Sequence, residues 1–264
     1  MSTRTKFEIR TDRFKELVDK LQDLSQISDT VKLKFDESSM MAYSLVASDS
    51  AVLCLKAYFM DTADHFAGFD REGTHDLVIS AAPRFVKNMR FFEGMDSIKG
   101  EITFKPSFED DSVMHVRSLS VSTPARKGDR LKVNTVGAEL SKIRDLSRES
   151  LVSRMSPEKS LWSFGLGVED LVRVRKLSNI NSEERTITIT VESGSVYLGE
   201  EGRWRVQVAE TEHQDTKLTF AKKHLAHFDQ DFDHVDVSLF ATFILVTTPA
   251  SRLLLSFETD FQND

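Results

Sequence analysis

The order in which secondary-structure signals recur constrains this chain more than any single motif does. Strand-like runs of alternating apolar residues come first at Val31-Lys-Leu-Lys-Phe, Leu53 to Phe59, Leu77-Val-Ile, Ile102-Thr-Phe and Val113 to Val121. The second half supplies Thr186-Ile-Thr-Ile-Thr-Val, Trp204-Arg-Val-Gln-Val, Val235 to Val246 and Leu253-Leu-Leu-Ser-Phe. Four segments read as helices. Arg13 to Leu24 places Phe14, Leu17, Val18, Leu21 and Leu24 on one stripe. Pro83 to Phe92 opens on a proline suited to a first turn and groups Phe85, Met89 and Phe92. Val168 to Ser178 groups Leu171, Val174 and Ser178, and Ala221 to Gln230 groups Ala221, Leu225 and Phe228.

These elements repeat in order. Lys6-Phe-Glu-Ile-Arg precedes the first helix and Val31-Lys-Leu-Lys-Phe follows it; Leu161-Trp-Ser-Phe precedes the third and Thr186-Ile-Thr-Ile-Thr follows it. Leu77-Val-Ile-Ser leads into the second helix and Lys217-Leu-Thr-Phe into the fourth, and further strand follows each. The chain therefore reads as four strand–helix–meander units, two per half, although the residue identities of the halves do not match. The expected fold class is α+β: two similar domains, each with two helices against antiparallel sheet, over residues 1–122 and 159–264. Residues 123–158 are polar and mixed in charge, with Pro124, Gly128 and Pro157, and read as an interdomain connector carrying one short strand.

A length of 264 residues suffices for two medium domains, and 40% apolar with 29% charged residues describes an ordinary globular chain. No stretch approaches the ~20 apolar residues of a membrane span, and Met1-Ser-Thr-Arg-Thr-Lys-Phe lacks the apolar core of a signal peptide. The lone Cys54, in Ala51-Val-Leu-Cys-Leu-Lys-Ala, reads as a small buried hydrophobe and suits a reducing compartment. A cytoplasmic or nuclear location with no membrane association is expected.

Catalytic and cofactor motifs are not evident. No phosphate-binding loop is present, and Gly165-Leu-Gly167 is followed by Asp170 where a dinucleotide fingerprint needs glycine. Asp229-Gln-Asp-Phe-Asp233 begins like a calcium loop, but His234 replaces the turn glycine and Phe240 the bidentate glutamate, so a solvated acidic helix end is expected. His224 and His227 lie three apart, without a third ligand at metal spacing, and read as surface histidines beside two lysines. The expectation is no enzyme, no metal and no cofactor, with a triad assembled from distant positions left open.

The cations are placed informatively. Lys87 and Arg90 lie opposite the Phe85/Met89/Phe92 stripe, with Arg84 at its flank. Arg173 and Lys176 share a face of the third helix, with Arg175 at its other edge, while Lys222 and Lys223 sit away from Leu225 and Phe228. Arg13, Lys15 and Lys20 decorate the first helix, offset by Glu16, Asp19 and Asp23. One such helix is an ordinary solvated face. Four that together are net positive, in a chain of net charge −7, would attract phosphates without reading bases.

At this point the chain resembles a known family. Phe14-Lys-Glu-Leu-Val-Asp-Lys-Leu-Gln-Asp-Leu, Val31-Lys-Leu-Lys-Phe and Ala47-Ser-Asp-Ser-Ala-Val-Leu resemble DNA sliding clamps: proliferating cell nuclear antigen and, more closely, the bacteriophage T4-type clamp. Val168-Glu-Asp-Leu-Val-Arg-Val-Arg-Lys-Leu-Ser resembles the opening helix of the second domain in phage clamps, and Thr247-Thr-Pro-Ala with Leu253-Leu-Leu-Ser-Phe resembles the final hairpin.

The resemblance implies a homotrimer, a pseudo-sixfold ring around duplex DNA that tethers the replicative polymerase. It implies further partners in a clamp loader and, as additional candidates, transcription factors, with work at replication forks (in the host cytoplasm if the protein is viral). At ~10 Å per helix, twelve abreast give a circumference of about 120 Å and a bore approaching 30 Å. The implied DNA-facing residues are those basic ones just named. Edge strands near Ser112 to Val121 and Arg203 to Glu210 would close the ring. Polymerases and loaders would dock short apolar peptides against Val46 and Ala47 in the loop Val46 to Ser50, the connector residues Leu131, Val133 and Val136, and the turn at Pro249. Read from the residues alone, Leu131, Val133 and Val136 equally fit a strand packed on the sheet with no ligand. A monomeric clamp-fold DNA-binding subunit and a viral structural or scaffold protein that does not bind DNA remain open alternatives.

Overall fold

The computed structural model describes residues 4–35, 38–47, 52–69, 75–79, 82–106, 114–124, 130–134, 160–180, 185–229 and 232–257. The chain divides into two compact units, Met1–Leu45 with Ala57–Leu146, and Val46–Lys56 with Ser147–Asp264.

The first unit runs β1 (Arg4–Ile9), α1 (Thr11–Ile27), β2 (Val31–Phe35), β3 (Ser39–Ala47) and β4 (Val52–Asp61), the residues of these last two strands that fall within Val46–Lys56 belonging to the second unit. It continues through a short α2 (Thr62–His65), β5 (Phe66–Ala67), β6 (His75–Ile79), α3 (Ala82–Met89), β7 (Ile98–Pro106), β8 (Met114–Ser122) and β9 (Arg130–Asn134). One sheet has the order β5-β1-β7-β8-β9, and a second holds β4-β3-β2-β6. α1 buries the expected stripe of Phe14, Leu17, Val18, Leu21 and Leu24, which joins Phe85, Val86, Met89 and Phe92 in one core. Pro83 sits in the first turn of α3, where its missing N–H costs nothing. The helix tightens into a 3-10 turn at Arg90–Phe92 and ends before Gly94, whose φ of 77° is the left-handed conformation glycine adopts freely. Phe7, Phe35, Phe66 and Phe69 form an aromatic cluster with ring centroids 5.0–6.0 Å apart. Gly100 pairs opposite Phe7, and a methyl group there would collide with its ring.

The second unit repeats the plan. It runs β10 (Trp162–Gly167), α4 (Val168–Ile180), β11 (Thr186–Glu192), β12 (Ser195–Glu200), β13 (Trp204–Glu210) and β14 (Thr216–Ala221), then a 3-10 helix (Lys222–His227). β15 (His234–Leu239), β16 (Phe243–Thr247) and β17 (Ser251–Ser256) complete it. Its sheets have the orders β13-β12-β11-β14 and β10-β15-β16-β17. Strand for strand these match β4-β3-β2-β6 and β1-β7-β8-β9. The α+β fold of two similar units expected from the order of elements is therefore the fold observed.

Some expectations need correction. The fourth helix is a 3-10 helix of six residues flanked by extended Ala221 and Phe228 with no side-chain cap; so short a segment cannot offset the cost of nucleating an α-helix. The strand expected over Val235 to Val246 is two strands, β15 and β16, joined where Phe240 N–H donates to Phe243 O at 2.9 Å. Met114–Ser122 is not an edge: β8 pairs with β7 on one side and, through Leu119↔Val133 and Val121↔Leu131, with β9 on the other. Among the described residues, β9 ends that sheet and β13 ends its own, so the expected edge at Arg203 to Glu210 is an edge.

Candidate nucleic-acid interface

The two helix pairs hold their cations differently. On α1, Arg13 is exposed and donates to Glu16 at 2.9 Å. Lys20 is mostly covered, donating to Glu16 Oε1 at 2.5 Å with its Nζ 5.7 Å from the Tyr58 ring centroid. The hydrogen bond from Lys20 is the main reason the Glu16 carboxyl titrates below its ordinary range. Lys15 is exposed. On α3, Arg84 and Lys87 are exposed. Arg90 donates from Nη2 to Asp19 and from Nη1 to Glu93, both at 2.7 Å, and from Nε to Gln22 Oε1 at 3.0 Å. The Asp19 hydrogen bond, foremost, raises its pKa further. Arg90 thus staples α3 to α1 and spends its charge on carboxylates.

In the second unit, Arg173 and Lys176 are exposed on α4. Arg175 turns toward the 3-10 helix and donates from Nη2 to Leu225 O and Phe228 O, both at 2.6 Å, and from Nε to Leu225 O at 2.9 Å. These carbonyls lie at the end of the 3-10 helix, where Leu225 O also accepts from the Phe228 N–H at 3.4 Å. Lys222 Nζ does the same for α4, donating to Ser178 O at 2.9 Å, and lies 3.3 Å from the fully buried Glu200 carboxylate. Lys223 is exposed. Arg175, Arg185, Lys222 and Lys223 line one depression of about 500 Å³ together with Ser178 and Asn179, and no described carboxylate lines it. Arg185 is absent from the residues expected on sequence grounds, because it follows Glu183 and Glu184 just outside any helical pattern.

The histidines differ from expectation. His224 and His227 are 8% and 7% exposed, their rings 5.9 Å apart, and neither Nδ1 has a hydrogen-bond partner. Three residues per turn put positions 224 and 227 on the same, inward side. Burial, reinforced by nearby cations, pushes both down to about 4, so both are neutral at pH 7. No group of three or more metal-ligating side chains occurs among the described residues, and no described helix is long and apolar enough to cross a membrane. Asp229 is not a solvated helix end: it is 12% exposed and paired with the buried Lys56 at 2.7 Å.

Of the residues expected at a partner site, Val46 is half-buried and Ala47 exposed at the end of β3, and Pro249 is exposed in the β16–β17 turn. Leu131 and Val133 lie in β9. Val136 lies outside the described residues.

No protein-family model matches the chain, and no curated protein matches it by sequence. Solved structures do. The DNA polymerase III β subunit of Borrelia burgdorferi superposes with a TM-score of 0.65 at 12% identity, covering 96% of this chain and 64% of that one. PCNA from Thermococcus kodakaraensis gives 0.62 at 12% identity, covering 97% of this chain and all of that one. The Helicobacter pylori β clamp bound to a DNA ligase peptide gives 0.62 at 12% identity, covering 96% and 65%. This chain thus spans less than two thirds of the bacterial clamps and the full length of the archaeal one. Strand order, helix placement and these superpositions agree that the chain has the fold of the DNA sliding clamps.

Proposed function

We propose that this protein is a subunit of a DNA sliding clamp, a processivity factor that encircles duplex DNA and tethers a polymerase without catalysing a reaction. The observation that carries the reading is the depression lined by Arg175, Arg185, Lys222 and Lys223 on the helix pair of a clamp fold whose net charge is −7. Such a surface attracts phosphodiesters, while diffuse contacts set no register and permit sliding. In the same unit the exposed Arg173 and Lys176 of α4 add to this charge; in the first unit the exposed Arg84, Lys87 and Lys15 are the corresponding cations, and Arg13, Lys20 and Arg90, being paired with carboxylates, contribute less.

The sheet edges also support a homotrimer. Among the described residues β9 and β13 end their sheets. Pairing β9 of one copy with β13 of the next would give a head-to-tail interface of the kind from which rings are built. Polymerase and clamp loader then dock through short apolar peptides near the Pro249 turn, a mode that relies on a few anchors. The peptide on the Helicobacter clamp is a precedent in a protein of the same fold.

The test is topological. Protein loaded on circular DNA should remain bound through gel filtration and be lost when the circle is cut once, and the free protein should have the mass of three chains. Retention on the linear molecule, or strong base-sequence preference, would overturn the reading. A monomer that binds DNA would leave the monomeric alternative standing.

A further inference from the structure

The cationic depression of the second unit is built in two layers. Arg185 and Lys223 are exposed, while Arg175 and Lys222 are half-buried and held to the Leu225, Phe228 and Ser178 carbonyls. Two cations thus stand at the rim and two further in, around a volume of about 500 Å³ that no described carboxylate lines. The first unit has a depression of nearly the same size, about 470 Å³, lined from α1 and α3. There the lining holds Gln22, Ser25 and Gln26 with only two cations, Lys87 and Arg90, and Arg90 is paired with Asp19 and Glu93. Helix packing leaves room in both units, but the four-cation lining belongs to the second.

A backbone phosphodiester carries one negative charge and is flanked by sugars on both sides, so a duplex passing over the depression meets its rim. A terminal phosphate carries about −1.5 to −2 charges at pH 7 and three acceptor oxygens. It also projects from the end of its chain, which lets it reach the inner pair. Guanidinium and ammonium groups bind such a group through charge-assisted hydrogen bonds, roughly twice as strong as neutral ones. A volume of about 500 Å³ is that of a small-molecule site and exceeds what a phosphate alone fills. Ala221, Leu225 and Ala226 give the remaining space an apolar side, and Asn179 adds an amide, a combination suited to a sugar and base.

We infer that this depression binds a nucleotide by its terminal phosphate, either a free nucleoside triphosphate or the 5′-phosphorylated end of a DNA strand. The preference rests on the same phosphate-attracting lining that carries the sliding-clamp reading, and adds selection of a phosphomonoester over the diester backbone.

The test titrates the full protein into two 3′-fluorescein duplexes of one sequence, one with a 5′-phosphate and one with a 5′-hydroxyl, and measures ATP and adenosine by calorimetry. The phosphorylated duplex should bind about tenfold tighter than its partner, and ATP at least tenfold tighter than adenosine. Arg185→Ala/Lys223→Ala removes the rim cations, and Ala226→Glu puts a carboxylate into the depression. Each should erase both differences at unchanged Tm; should one variant fail to fold, the other decides. A preference confined to the duplexes assigns the site to DNA ends, and one confined to ATP assigns it to free nucleotide. Neither preference, or preferences that survive both variants, overturns the inference. Retention on circular DNA, with the cut ends dephosphorylated, is read separately. Retention without any monoester preference leaves the clamp and removes the nucleotide site, whereas a monoester preference without retention does the reverse.

Discussion

Arg90 and Arg175 occupy helices of repeat-related units and look alike in sequence, but one is held by carboxylates and the other by backbone carbonyls. Arg90 lies between Asp19 and Glu93, so its local sum is negative. Arg175 donates to the Leu225 and Phe228 carbonyls, which fix the side chain. Lys222 shares its charge between the Ser178 carbonyl and Glu200. Carboxylates thus enter the cation network of the first helix pair, while no described carboxylate lines the depression of the second. A phosphate responds to the field left after pairing, and counting lysines and arginines along a helix does not give that field.

Acid should break the symmetry between the units most strongly. With His224 and His227 at about 4 in the fold against an ordinary 6.5, the unfolded chain binds more protons than the native one between those values. Their neutrality therefore stabilises fully above pH 6.5, and that stability is lost as pH falls toward 4, by an amount on the order of a few kcal/mol for the pair. Trp162 and Trp204, both in the second unit, report its unfolding by fluorescence. Glu16 in the first unit acts lower, its stabilisation being present above 4.5 and lost below as the carboxyl protonates. Replacing both histidines by glutamine should flatten the upper window and leave the lower one; an unaltered upper window would place the acid sensitivity elsewhere.

Arginine truncation sharpens the contrast. Arg175→Met removes the side-chain donor from the Leu225 and Phe228 carbonyls and should cost about 1–3 kcal/mol in urea denaturation. Arg90→Met breaks a more exposed network and should cost no more than about 1 kcal/mol. Equal costs would mean that carbonyl capping and carboxylate pairing are energetically alike here.

DNA retention is next. Arg185→Ala with Lys223→Ala should lower the slope of log affinity against log salt by up to about 0.9 for each phosphate no longer neutralised. Arg13→Ala with Arg90→Ala should change the slope less, since the freed Glu16, Asp19 and Glu93 already offset those charges. The reverse ranking would refute the electrostatic division. Smallest of all, Lys15→Ala should leave stability within about 0.5 kcal/mol, as for an exposed side chain away from any special interaction.

The periodic features are legible in the sequence because burial enforces them. The stripe from Phe14 to Leu24 and the alternation in Thr186-Ile-Thr-Ile-Thr-Val follow from one face meeting a core, and their order reveals the duplicated plan although residue identities do not match. Non-periodic partnerships are not legible. Lys56 meets Asp229 across 173 positions, and neither residue type advertises burial. His224 and His227 read as surface groups because an α-helical projection misplaces the side chains of a segment that winds three residues per turn. β9 hides in a charged stretch, so β8 reads as an edge. Arg185 is concealed by the two glutamates before it.

Lys222–His227 has a further consequence. A single 3-10 stretch of six residues has only a short ladder of its own, and its closing carbonyls also accept from side chains that arrive from elsewhere, Arg175 at Leu225 and Phe228 and Lys56 at His227. Its local opening is then governed by those two guests, and it belongs among the segments that open well below the global unfolding free energy. An element tethered in this way works as a fuse. Released at either tether, it would expose two neutral imidazoles and the Leu225 side chain to water while the sheets behind it stay folded. Amide exchange across these residues would register the departure of either guest before any change appeared in β11 or β15.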